Sequence, residues 1–158
     1  MTELGLARVF HVLGVVLWIG GVAMVTTVIL PAVKSLASPE ERMALFEKIE
    51  HRFAWQARAT TLLTGLSGFY LLHLLQAWPR FGMPSFWWLH AMVAVWVLFT
   101  LILFVLEPLI LRRLFLRLAA RNPRRSFAWI QRLHWILLTL SLVTVAGAVA
   151  GSHGWLWL

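Results

Sequence analysis

Four apolar stretches dominate this chain, running from about Leu4 to Val33, Phe53 to Trp78, Ser85 to Leu111 and Phe127 to Ala150. Each meets or exceeds the ~20 residues that a helix needs to cross a hydrocarbon core. Lipid offers a backbone amide no hydrogen-bond partner, so such segments cross only as helices or closed barrels, and unbroken apolar runs select helices. The sequence therefore predicts an all-α, polytopic membrane four-helix bundle. It forms one domain over residues 1–158, with helices at about 4–33, 39–78, 85–118 and 127–150. The 61% hydrophobic content and 10 tryptophans fit a membrane chain rather than a soluble domain. The first run is too long for the ~7–15 residue apolar core of a secretory signal, and Glu3 stands where such a signal carries positive charge, so it reads as a retained helix.

Charge orients the helices. Of the 14 Lys and Arg residues, Lys34, Arg42, Lys48, Arg52 and Arg58 belong to the first connection or its edge. Arg112, Arg113, Arg117, Arg121, Arg124, Arg125 and Arg132 belong to the third. Those connections share one side of a four-span protein, and only Arg8 and Arg80 remain on the other. Twelve against two predicts basic connections in the cytoplasm and both termini periplasmic, in a bacterial inner membrane. The basic fringe faces anionic lipid headgroups. The net charge of +8 comes without any base-reading or phosphate-binding motif, so no nucleic-acid partner is expected. With no cysteine, disulfides, thiolate metal sites, iron–sulfur clusters and covalent haem are excluded.

The connections carry their own punctuation. SPEE (Ser38 to Glu41) offers a capping serine, a first-turn proline and two glutamates at a positive helix start. It predicts that the second helix begins as an amphipathic cytoplasmic extension before entering the membrane near Phe53. WPRFGMP (Trp78 to Pro84) predicts a tight outer turn. RNPRR (Arg121 to Arg125) ends the extension of helix three before helix four. Trp78, Trp87, Trp88, Trp155 and Trp157 fall at the outer interface and Trp55, Trp129 and Trp135 near the inner one, as an aromatic belt. Gly14, Gly20, Gly21, Gly65, Gly68, Gly147 and Gly151 let helices approach closely, and would equally leave room for a flat macrocycle.

Histidines mark a level. His11 lies 23 residues from Lys34, His73 lies 21 from Arg52, His90 lies 22 from Arg112 and His153 lies 21 from Arg132. At ~1.5 Å per residue each stands about 32–35 Å from the inner charges, near the outer edge of the hydrocarbon. Two facing imidazoles at one depth suit haem b, and three suit copper or zinc. Interfacial solvation of histidine gives the same shared level without any ligand. His11, Gly14, Trp18 and Gly21 form one helical stripe, and Arg58, Thr61, Gly65, Phe69 and His73 another. The candidate ligands are His11 and His90, with His73 as the alternative, and Gly14, Trp18 and Arg58 complete the candidate cofactor surface. His51 and His134 lie toward the inner side, where a second haem pair is the alternative to interfacial packing. Arg58 and Glu107 reach similar depths on helices two and three and predict an ion pair, because either charge alone is expensive there.

HVLGVVLWIGGVAMVTTVILPAV (His11 to Val33) followed by HRFAWQARATTLLTGLSGFYLL (His51 to Leu72) resembles the paired-helix pattern of the membrane domain of the copper-resistance protein D (CopD) family. WWLHAMVAVWVLF (Trp87 to Phe99) resembles the Trp-Leu-His segment of the related HemJ-type, haem-binding protoporphyrinogen oxidases. The second resemblance implies that His11 is a first-helix haem ligand. That family's third-helix lysine falls on Met92 here, which argues against protoporphyrinogen oxidation and leaves His90 as the replacement ligand. The first resemblance implies copper handling at the outer face.

The expected function is a haem b protein, a membrane haem oxidoreductase if it turns over, moving one electron between a membrane donor such as quinol and an outer-side redox partner. Copper transport or tolerance through His11, His73 and His90 is the alternative reading, and a non-catalytic assembly subunit a third. Oligomerisation is compatible with all of them.

Overall fold

Residues 2–155 are described by a computed structural model. Trp157 and the side chains of Arg112, Arg121 and Arg124 lie outside the described set. Among the described residues the chain is helical, with no strand: α1 (Glu3–Met24), α2 (Leu30–Ser35), α3 (Pro39–Leu74), α4 (Trp87–Leu101), α5 (Arg112–Arg121) and α6 (Pro123–Ser152). Two wider π-helical segments, Val25–Ile29 and Ile102–Leu111, join α1 to α2 and α4 to α5 without interrupting the rod. Two 3₁₀ turns, Trp78–Gly82 and Pro84–Phe86, make the tight connection that WPRFGMP predicts.

The punctuation works as its chemistry dictates. The Ser38 hydroxyl accepts from the Glu41 N–H at 3.3 Å, capping α3. Asn122 caps α6 by accepting from the Arg125 N–H at 3.1 Å, with Pro123 in the first helical position. At the end of α3 the chain turns through Gln76, whose φ of 49° lies in the left-handed region. The helix therefore stops at Leu74, four residues short of Trp78.

Among the described residues three stretches are long and apolar enough to cross a membrane: Glu3–Ser35, Pro84–Leu111 and Arg125–Ser152. α3 is not among them: its apolar half carries Arg58 and His73 as well as Thr60, Thr61, Thr64 and Ser67, and the last four are buried. Their hydroxyls are largely spent on the helix itself: Thr60 donates to Gln56 O, Thr64 to Thr60 O and Ser67 to Leu63 O. Such back-bonding hides polarity that a hydropathy sum still counts.

α3 runs antiparallel to α1. Tyr70 donates to Glu3 at one end of the pair, and Phe46 packs with Leu30 and Val33 at the other. Between them, a Cβ on Gly14 would stand 2.6 Å from Thr64 Oγ1 and 3.2 Å from its backbone nitrogen, so the helices touch there with no side chain between them. Most other glycines are also filled by a neighbour: Phe53 lies over Gly21, Trp96 over Gly65, Trp87 over Gly147 and Trp88 over Gly151, whereas Gly20 faces open space. Trp88 is thus buried in the helix packing and is not part of the outer belt, while Trp55, Trp78, Trp129, Trp135 and Trp155 are exposed. At the inner end, Phe46, Phe115 and Phe127 from α3, α5 and α6 meet with centroids 5.0–5.6 Å apart. Each such pair adds about 0.5–1.5 kcal/mol beyond simple burial.

The two glycines of α1 separate packing from propensity. Gly14→Ala is expected to lower stability by about 1–3 kcal/mol through overpacking. Gly20→Ala is expected to be neutral or slightly stabilising, as measured by thermal unfolding in detergent.

Candidate functional site

The close crossing at Gly14 brings His11, one turn earlier, against the α3 backbone. His11 Nδ1 lies 3.0 Å from the Thr64 carbonyl and 3.3 Å from Ser67 Oγ. A carbonyl only accepts, so Nδ1 carries the proton and Nε2 keeps its lone pair in the neutral ring. Gly68 makes this seat: a Cβ there would stand 3.0 Å from His11 Cε1. The ring is held against α3 by Thr64, Ser67 and Gly68, with Nδ1 bonded in the way that histidines whose Nε2 ligates commonly use.

The other outer histidines are placed differently. His90 is exposed, donates through Nε2 to Phe81 O at 3.0 Å and stands edge-on to the Phe81 ring at 5.2 Å. His73 is exposed at the end of α3. His153 bonds to Val149 O in its own helix. No hydrogen bond joins His11, His73 and His90. Among the described residues no group of three or more His, Cys, Asp or Glu could hold a metal ion. The outer imidazoles therefore do not gather into a three-imidazole centre, and His11 is the one of them seated against a neighbouring helix.

Gly14 and Trp18, expected beside a cofactor, are engaged in packing: Gly14 meets Thr64, and the Trp18 ring is buried edge-on to Phe99 at 4.9 Å. Arg58 makes the predicted ion pair. Its Nη2 lies 2.5 Å from Glu107 Oε2, with both side chains about one-fifth exposed. Its Nε donates to Leu103 O at 3.0 Å, and its guanidinium lies 5.9 Å from the Trp55 ring centroid.

The second bond of Arg58 explains a feature that sequence reading missed. In a π-helix each N–H reaches the carbonyl five residues back. Pro108 has no N–H to give, and the carbonyl five residues before it is that of Leu103, which Arg58 takes instead. The device occurs twice. Leu30 donates to Val25 O, Pro31 has nothing for Thr26 O, and Gln131 Nε2 from α6 supplies that bond at 2.6 Å. A proline within an apolar run, with one long polar residue at matching depth on another helix, is the signal that could have revealed both.

Between these π-segments lies a cavity of about 150 Å³, walled by residues of α1, α3, α4 and α6 and bordered by Glu50, Glu107 and His134. It sits in the inner half of the helix cluster, remote from the seat of His11. His134 Nδ1 donates to Ile130 O at 3.0 Å, so this ring too keeps Nε2 as an acceptor.

Comparison with known proteins returns no matching family model, no matching curated protein and no matching solved structure. The site therefore rests on its own geometry.

A double-mutant cycle weighs the Arg58–Glu107 pair. Arg58→Leu is expected to destabilise more than Glu107→Leu, because it also strips the bond to Leu103 O, worth about 1–3 kcal/mol when left unmade. The double variant should recover about 1–3 kcal/mol relative to the sum of the singles, read from unfolding midpoints in detergent.

Proposed function

We propose that the chain is a four-span inner-membrane haem b protein, with both termini outward, in which His11 Nε2 is the axial ligand near the outer face. The observation that carries this reading is the Nδ1–H bond of His11 to the Thr64 carbonyl, which fixes the tautomer and the ring plane and directs the lone pair to Nε2. Ser67 and Gly68 complete the seat, one as a second acceptor and the other by leaving room for the ring.

The placement of α3 as the fourth span is supported by its antiparallel contact along α1 and by the twelve-to-two division of basic residues. Bound haem supplies one-electron chemistry between a membrane donor and an outer-side acceptor. The chain's part is to hold the imidazole against rotation, keep it neutral and surround it with apolar helix faces. His90 is exposed and gives Nε2 to Phe81 O in the outer turn, so the assignment rests on His11. The resemblance of the His11 segment to the CopD and HemJ-type pattern agrees with this assignment.

The purified protein is expected to show a Soret band and a sharp reduced α-band after dithionite. His11→Ala should lose the haem, while His90→Ala and His73→Ala retain it. A colourless preparation, or unchanged haem in His11→Ala, defeats the proposal.

A further inference from the structure

The inner cavity carries a second inference. Its volume of about 150 Å³ is the space that one six-membered ring fills. Its walls include Phe53, Phe99 and Phe115, against which a flat ring packs. Two of the polar groups on its border are acceptors. Glu107 gives Oε2 to Arg58, and no described residue partners its other oxygen. His134 has committed its proton to Ile130 O. Trp18 also lines the cavity, and its buried indole N–H has no acceptor among the described residues.

Acceptors of this kind call for a ligand that donates, and a hydroxyl both donates and accepts. A bare quinone carbonyl offers nothing to Glu107 or His134, and an acyl chain offers nothing to any of the three. The ligand must also reach the interior of an apolar helix cluster, which selects a lipid-soluble molecule.

We infer that this cavity binds the ring of a lipid-soluble hydroquinone, its hydroxyls donating to His134 Nε2 and to the Glu107 carboxylate. The role of that hydroquinone as electron donor rests on the haem reading above; the binding itself does not.

The test is calorimetric titration of the detergent-solubilised protein with unsubstituted 1,4-hydroquinone and, separately, with 1,4-benzoquinone, which keeps the ring and its size and lacks the donors. The hydroquinone should bind at least about 10-fold more tightly than the quinone, as expected for two hydrogen bonds of about 0.5–1.5 kcal/mol each. His134→Phe, which keeps a ring and removes one acceptor, should weaken hydroquinone binding by about 3- to 10-fold. Leu133→Trp, directed at filling the cavity from a half-buried wall position, should abolish it. Helical circular dichroism and the thermal unfolding midpoint recorded on the same samples certify the fold, and haem absorbance is recorded separately. Equal affinity for the two probes, binding unaffected by Leu133→Trp, or no binding to a folded protein would each overturn the inference. A sample without haem that still discriminates the probes defeats only the haem reading, and a haem-loaded sample that fails to discriminate them defeats only this one.

Discussion

Inside a bilayer a backbone carbonyl that loses its helical donor must find another within the protein. Two carbonyls here, Thr26 O and Leu103 O, lose theirs to a proline five residues on, and each is satisfied by a long side chain from a different helix. Gln131 joins α6 to the π-segment after α1, and Arg58 joins α3 to the π-segment after α4. The ion pair follows from that geometry. Once Arg58 is drawn to Leu103 O, Glu107 stands one turn further along the same segment, within reach of the guanidinium. The charge that would be expensive alone is offset by a partner and by a backbone bond that had to be made by something.

The same two segments account for the cavity. A π-turn carries an extra residue per turn and widens the helix locally, so side chains on either side of it no longer interdigitate at ordinary spacing. Val25 and Ile29 from one segment and Ile102, Leu103 and Leu111 from the other all border the void. Elsewhere most of the glycine positions between helices are closed by threonine, phenylalanine, tryptophan or His11, so those glycines serve packing. Depth divides the molecule: a tight outer half built on Gly14, Gly65, Gly147 and Gly151, and a looser inner half built around two prolines.

Much of this was legible in the sequence where the signal is periodic or additive. Three of the four apolar runs stand out by length and hydropathy together, the capping residues Ser38 and Asn122 act where their type predicts, and counting from the inner charges places Arg58 level with Glu107. Depth, however, is a one-dimensional quantity. It set His11, His73 and His90 at one height and could not say which way each ring points. His11 turns into the Gly68 seat, whereas His90 turns to Phe81 in the outer turn, a contact fixed by the 3₁₀ geometry of Trp78–Gly82 rather than by helical spacing. α3 shows the limit of a hydropathy sum: Thr60 and Thr64 count as polar, yet their hydroxyls bond to the preceding turn of the same helix.

His11 and His134 show how one chemical device serves two settings. Both rings give the Nδ1 proton to a backbone carbonyl and keep Nε2 as an acceptor. His134 is tied to its own helix, one turn back, so its ring travels with α6 and can follow whatever the cavity admits. His11 is tied to a helix 53 residues away in sequence, so rotating the ring means breaking a bond between helices at their closest crossing. A nitrogen that must hold one fixed direction, as an axial ligand does, is better served by the second arrangement, and one that must accept a proton or a hydroxyl from a mobile guest by the first. The tether of each ring, more than its depth, separates the roles proposed for them.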